Sequence, residues 1–478
     1  MINSTNPLEE ISHWRVEAKL EDVPKYFFRG SDFESILRGR YAIVVGRKGT
    51  GKTAIAEYIS QSKSHDFSSE KLSFKNFPFN ELYKLEDHRF TNPNQYITIW
   101  KYVILSFVCK MMATNPRIDP LVGKQLSKAF GSTAEQNLAA IIKRWTVSQI
   151  NLQVLGTGGG VEFKDTQGDS EWVDRVEMLE SIVAKYAKGH SYILAFDELD
   201  EDFKDVVKRY NNDQYQQLIT SLIKATAEIK SFSMKNGLNV APIVFLRDDI
   251  YGLIKDNDKN KLVDVKLDLV WDKDSIQEML AYRLSRSIGS KSSEPKFDHV
   301  WLKIFAHAKT RYGNKQQRSM NTFDFIARST HMRPRDFIRY LQVASEHELK
   351  NKNTKIQGET LRRVDASFST YLRDELKDEI ESTIPEIESV FDVISHINKQ
   401  YINVKIFRET FDEMKPTTGS KLDADTCLRL LFHFSVIGNT GRGNSPLEFF
   451  KYKYPNRKLN FGLPIIVHRG LFKALEIV

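Results

Sequence analysis

Tyr41-Ala-Ile-Val-Val-Gly46-Arg-Lys-Gly-Thr-Gly-Lys-Thr53 is the stretch on which the reading of this chain turns. Its apolar first half reads as a buried strand. Its second half has glycines at 46, 49 and 51, followed by Lys52 and Thr53, and this is the spacing of a phosphate-binding loop between a strand and a helix. Each residue type has a chemical reason. Glycine lets the backbone of Gly46, Arg47, Lys48, Gly49, Thr50 and Gly51 wrap an anion with its N–H groups turned inward. The helix expected from Thr53 onward points its positive end at the same place. Lys52 is placed for the β- and γ-phosphates, and the Thr53 hydroxyl for a Mg2+ ion. The stretch implies a bound nucleoside triphosphate.

Two further apolar runs end in charge. Ser191-Tyr-Ile-Leu-Ala-Phe196 leads into Asp197-Glu198, and Val240-Ala-Pro-Ile-Val-Phe-Leu246 leads into Arg247-Asp-Asp249. An aspartate at a strand tip suits the magnesium shell, and the adjacent glutamate suits orientation or deprotonation of a water. A solvated acidic helix start is the plain alternative for this acidic cluster. Arg247 suits developing phosphoryl charge, its plain alternative being an ion pair with Asp248 or Asp249. Arg333 and Arg335 flank Pro334 at an expected helix start, where a surface arginine cluster is the simpler reading of spacing alone.

Outward from these tips, the chain divides into three expected parts. Residues 1–270 form the nucleotide core, with a largely helical insertion at about 61–190; residues 271–380 form a helical lid; residues 381–478 form a small terminal domain. Within the core, Phe33-Glu-Ser-Ile-Leu37 is expected to be an amphipathic helix beside the first strand. Within the insertion, Tyr96–Ala113 reads as a buried helix and residues 149–163 as a hairpin around a glycine turn. A helix is expected at about 214–236, and the pattern from Ser275 to about Gln342 is helical throughout. The last part reads as three short helices followed by a hairpin, with Phe449-Phe-Lys-Tyr-Lys-Tyr454 as one strand and Leu463–His468 as the other. That is a winged helix-turn-helix outline. Alternation then sets Lys451 and Lys453 on one face, near Arg457 and Lys458, as candidate phosphate contacts.

With 478 residues, the chain exceeds one core. The net charge of +8 permits a polyanion partner without demanding one. Two cysteines, Cys109 and Cys427, form neither a disulfide framework nor a metal site. Neither a secretory leader nor a membrane span is read from the sequence, so a cytoplasmic protein is expected.

In combination, Gly46-xxxx-Gly-Lys-Thr, Phe196-Asp-Glu198, Phe245-Leu-Arg-Asp-Asp-Ile-Tyr251 and Arg333-Pro-Arg-Asp336 resemble a group of bacterial P-loop ATPases related to the AAA+ class. The likeness is to its origin-recognition and STAND branches, and Phe450-Lys-Tyr and Val467-His-Arg-Gly-Leu471 are similar to the terminal winged helix of this group. The resemblance implies an α/β fold: an αβα nucleotide domain with helical insertion, a helical lid and a C-terminal winged helix. It implies ATP and Mg2+ as cofactors, Arg247 in a sensor-1-like role and Arg335, beside Arg333, in a sensor-2-like role. It further implies an ATP-driven switch in bacterial defence, including antiviral defence, acting through homo-oligomers or an effector protein; DNA stays open as a partner, since winged helices in signalling ATPases also often make only protein contacts. The alternatives are an origin-recognition-like DNA loader and a nucleotide-bound scaffold without turnover. Arg209, Arg283 and Arg286 are undiscriminated candidates for an arginine finger acting in trans.

Overall fold

In the computed structural model, the described residues are 6–62, 65–74, 96–131, 138–147, 172–199, 212–254, 259–290, 292–313, 317–418, 422–441 and 447–477. They fall into two compact units, Asp22–Val270 and a second made of Met1–Glu21 with Trp271–Val478. The N-terminal stretch, expected with the nucleotide core, thus belongs to the second unit. Its helix Pro7–Ser12 packs on the helix Pro334–Lys350. No helix among the described residues is long and apolar enough to cross a membrane.

The first unit is built on a parallel sheet of β1 (Ile43–Gly46), β2 (Phe67–Ser73), β3 (Ser191–Asp197), β4 (Asn239–Arg247) and β5 (Lys266–Asp268), in the order β2-β3-β4-β1-β5. Side chains alternate across a strand, so each strand feeds two cores. Val44, Ile193, Ala195, Ile243 and Phe245 pack with Phe33, Ile36 and the helix Lys52–Gln61 on one face. Ile43, Val45, Leu194, Phe196 and Val244 face the other way, toward the helices Ile97–Ala113, Trp172–Tyr186 and Asn212–Lys235. Helices on both faces of a parallel sheet give the α/β, three-layer architecture that the strand patterns called for. The strands ending in Asp197 and Arg247, the helix Phe33–Leu37 and the buried helix ending at Ala113 all form where expected.

One element was not legible. The insertion expected to be mainly helical holds β2, which pairs with β3 along its whole length, from Phe67↔Ser191 to Ser73↔Asp197. It is therefore part of the core sheet. The hairpin expected at 149–163 lies outside the described residues.

In the second unit the helices Lys273–Ser287, Phe297–Ile304, Thr322–Ala327, Pro334–Lys350 and Gly358–Ile380 form the helical part. Asp272 caps the first of these, accepting from Ser275 N at 2.9 Å while Ser275 Oγ accepts from Asp272 N at 2.9 Å. The run expected to be wholly helical is broken by an antiparallel hairpin, β6 (Lys309–Tyr312) and β7 (Arg318–Asn321). The helices Ile387–Ile397, Val404–Thr418 and Ala424–His433 follow, with a sheet of order β10-β9-β11-β8 built from β8 (Tyr401–Ile402), β9 (Ile437–Thr440), β10 (Glu448–Phe449) and β11 (Ile465–Val467).

The expected strand 449–454 is corrected by this sheet. Only Glu448–Phe449 pairs, and it pairs with β9. The rest is a turn, closed by Lys453 N→Phe450 O at 3.1 Å and Tyr454 N→Phe450 O at 3.0 Å. Tyr452 N is bound by Ser435 Oγ at 3.0 Å. Lys451 Nζ donates to the carbonyls of Pro455 and Arg457. The Arg457 guanidinium lies 3.6 Å from the Phe449 ring centroid, and partial desolvation pulls the Lys453 pKa below the usual lysine range. Lys451 and Lys453 do not form a strand face for phosphates, because the segment is a turn and Lys451 is held by backbone carbonyls, while Lys453 stays exposed.

Candidate nucleotide site

Three strand tips converge in the first unit. Gly46 at the end of β1 is paired in register with Arg247 at the end of β4, and β3 lies on the far side of β4. The loop after β1 turns through left-handed backbone at Gly51, φ 99°, which is also the N-cap of the helix Lys52–Gln61. At Gly46 space is the constraint: a Cβ there would stand 2.6 Å from Thr50 Oγ1. Thr50 Oγ1 donates to Arg47 O at 2.8 Å, and Lys52 Nζ donates to the carbonyls of Gly46 at 2.8 Å and Arg47 at 3.0 Å. The ammonium therefore sits inside the curl of the loop beside the N-terminus of the helix Lys52–Gln61, an arrangement that suits an anion.

Asp197 meets this loop. Its Oδ1 lies 3.5 Å from Thr53 Oγ1, although 144 positions separate the two residues. Both are hard oxygen donors beside the curled loop, the donor set that Mg2+ takes with substrate phosphates. The residues present therefore fit the ion: Thr53 and Asp197 would hold it. Its chemistry there would be neutralisation of phosphate charge.

Three side chains around Asp197 escaped sequence reasoning. Lys71 on β2 bonds Glu57 Oε1 at 2.6 Å and reaches Asp197 Oδ2 at 3.4 Å. Burial opposes its charge, but the Glu57 hydrogen bond and the nearby Asp197 and Glu198 carboxylates outweigh it, and its pKa stands above the usual lysine range. Ser73, at the tip of β2, donates its hydroxyl to Glu198 Oε2. Glu198 is 8 % exposed and has φ 62°, a conformation that costs a non-glycine residue about 1–3 kcal/mol and that functional sites tend to retain. No motif signal marked Glu57, Lys71 or Ser73; Thr53 and Glu57, four apart on one helix face, offered the one faint clue.

The expected arginines are placed unevenly. Arg247 stands at the strand tip beside Gly46, with its guanidinium on Asp249 at 3.0 and 2.5 Å. The plain alternative weighed for it, an ion pair with Asp249, is present. Arg333 and Arg335 lie in the second unit. Arg333 is 1 % exposed, bound to Asp336 at 2.9 Å and Glu379 at 3.3 Å. It braces that unit from inside, as a member of an internal ionic cluster. Arg335 bridges Glu375 and Glu17, each at 2.9 Å. Arg283 is likewise buried, paired with Glu21 at 2.5 Å under the Trp14 ring, which removes it from the finger candidates. Arg286 donates to Ser290 O at 2.8 Å and lies on the Tyr282 ring; Arg209 lies outside the described residues.

Comparisons with known proteins bear on the second unit and on the whole chain. Residues 274–377 match the family described as FunZ-associated C-terminal helical domain. Over 506 aligned residues the chain is 20 % identical to an 80.3 kDa protein attributed to transposon gamma-delta in Escherichia coli (strain K12), covering 100 % of this chain and 68 % of that protein. Among solved structures, the ORC2 protein of Aeropyrum pernix in its ADPNP–ADP complexes is similar at 12 % identity and TM-score 0.43, covering 95 % of this chain and 93 % of that one. A Drosophila ORC structure bound to DNA is similar at 11 % identity and TM-score 0.32, covering 100 % and 93 %. At such scores the fold rests on its own strand order and loop geometry.

Proposed function

We propose that this chain is an ATP-binding and ATP-hydrolysing conformational switch of AAA+ type. The observation that carries this reading is the 3.5 Å approach of Thr53 Oγ1 and Asp197 Oδ1 beside a loop already curled around Lys52. The amides of Gly46 to Thr53 would bind the polyphosphate, and Lys52 would exchange loop carbonyls for the β- and γ-phosphates. Glu198 would leave Ser73 to orient the attacking water and accept its proton. Arg247 would act in a sensor-1-like role after exchanging Asp249 for phosphoryl oxygen, and Arg335 in a sensor-2-like role after leaving its own carboxylates. Arg333 then serves by fixing the helix that carries Arg335.

The terminal helices and antiparallel sheet we read as a winged helix that relays nucleotide state to a protein partner or a second copy of this chain. Likeness alone ties the switch to bacterial defence or the response to mobile elements, the latter in keeping with the transposon-derived relative. A DNA-dependent ATPase is the second reading, favoured by Lys309, Arg311 and Arg318 of the β6–β7 hairpin, which have no acidic partner among the described residues.

ATP turnover by the full chain, with and without duplex DNA, tests both. Glu198→Gln is expected to lower turnover about a hundredfold and to retain the triphosphate. DNA-independent turnover fits the switch, and marked stimulation by DNA fits the second reading. Turnover unchanged by Glu198→Gln, or absent from the wild type, contradicts both.

A further inference from the structure

Residues His307 to Arg318 include His307, Lys309, Arg311, Lys315 and Arg318 and no acidic residue. In the hairpin they help to form, register sorts the side chains. Lys309 is opposite Asn321 and Arg311 opposite Ser319, so these four share one face, and all four are exposed. The other face is the packed one. Thr310 is buried there and donates to Gly358 O at 2.7 Å, and the Arg328 guanidinium lies 5.0 Å from the Tyr312 ring centroid. Arg318, opposite Tyr312, belongs by register to the packed face but is exposed at the end of the ribbon.

Charge on this ribbon is uncompensated. Among the described residues, Lys309, Arg311 and Arg318 have no carboxylate within ion-pair distance, although acidic residues elsewhere in the same unit pair freely. Instead, Arg362 approaches the same strand, its Nη1 donating to Arg311 O at 2.9 Å. Arg363 beside it is exposed and paired with Glu359 at 2.7 Å. Gathering guanidinium and ammonium groups without counter-charges raises the self-energy of the surface, and a polyanion lowers it. Shape narrows the class of polyanion. A two-stranded ribbon, with strands about 4.8 Å apart, is admitted by the B-DNA major groove, about 12 Å wide. The deep, narrow major groove of duplex RNA does not admit it. The one aromatic of the two strands, Tyr312, is on the packed face, so single-stranded bases find no stacking platform.

We propose that the exposed face of the β6–β7 ribbon is a docking surface for duplex DNA, with Lys309 and Arg311 set against phosphates and Arg318, at the ribbon's end, and Arg362, beside Arg311, at its margins. It goes beyond the ATP-switch reading and does not depend on hydrolysis. Contact of this kind is electrostatic and indifferent to sequence.

The test is fluorescence anisotropy of the full chain with a labelled mixed-sequence DNA duplex over a salt series. Wild type is expected to bind, with affinity falling steeply as salt rises. Lys309→Gln/Arg311→Gln/Arg318→Gln is expected to bind about tenfold or more weakly, with the log–log salt slope shallower by about 0.9 per phosphate contact removed. Its melting temperature and DNA-free ATP turnover should match wild type, so a failure of the ATPase reading registers separately. Should the triple variant unfold, Arg311→Gln alone is expected to lose one contact's worth of slope. Absence of duplex binding by wild type would overturn the proposal, as would an unchanged slope in the ribbon variant. Tighter binding of single-stranded DNA or duplex RNA would do so too, as would loss of binding through Lys405→Gln/Arg429→Gln with the ribbon variant unaffected.

Discussion

Asp197 divides its carboxylate between two neighbours, Oδ1 toward Thr53 and Oδ2 toward Lys71. Lys71 is the resident counter-charge for both Asp197 and Glu57, with side chains 10 %, 3 % and 15 % exposed respectively. Removing one member of a buried ionic group leaves the others short of counter-charge, which costs about 3–5 kcal/mol. Lys71→Met is therefore expected to lower the unfolding free energy of the nucleotide-free protein by about 3 kcal/mol in urea titrations. Mg2+ with a triphosphate should narrow the deficit, because it brings positive charge to Asp197. Ser73 makes a separate prediction. Its hydroxyl holds Glu198 toward β2, so Ser73→Ala should raise basal ATP turnover severalfold while nucleotide affinity, measured by titration, stays level. A fall in turnover would mean that the serine positions Glu198 for reaction and does not restrain it.

At the scale of elements, packing at the end of the chain gives the sharpest case. A Cβ on Gly470 would stand 2.1 Å from Ser329 O and 2.5 Å from Leu372 Cδ2, while Arg469 next to it is paired with Asp365 at 3.1 Å. Gly470→Ala should thus destabilise the second unit by about 1–3 kcal/mol, read as a lowered melting temperature, since overpacking forces backbone to shift. What was legible in the sequence divides along the same line between apolar pattern and pairing. Ile43–Val45, Tyr192–Phe196 and Ile243–Leu246 are apolar runs bounded by charge, and they form buried strands as read. Phe67-Ser-Ser-Glu-Lys-Leu-Ser73 has no such run, because an edge strand half-covered by solvent needs backbone pairing more than side-chain burial. The β6–β7 hairpin hid for a similar reason, with one polar face and a four-residue length. The aromatic alternation at 449–454 misled in the other direction, since its rings pack in a turn.

At the scale of the molecule, the motifs were visible because they fall at strand tips, where glycine and charge follow apolar runs. Gly46, Lys52, Thr53, Asp197 and Glu198 gather in one unit through the strand order, which sequence spacing alone does not encode. Arg333 shows the opposite limit: spacing alone reads it as part of a surface arginine cluster and the resemblance sets it beside a sensor-2-like arginine, yet its guanidinium closes an internal ionic cluster. The curled loop around Lys52, the approach of Thr53 to Asp197 and the left-handed Glu198 are the observations on which the proposed magnesium-triphosphate site rests. Calorimetric titration of a non-hydrolysable ATP analogue, with and without Mg2+, tests this most directly on wild type, Lys52→Ala and Asp197→Asn. Wild type should bind more tightly with Mg2+, Lys52→Ala should lose binding, and Asp197→Asn should keep metal-free binding but lose the gain from Mg2+. Wild-type protein that takes up no nucleotide, or Asp197→Asn with its magnesium gain intact, would contradict it.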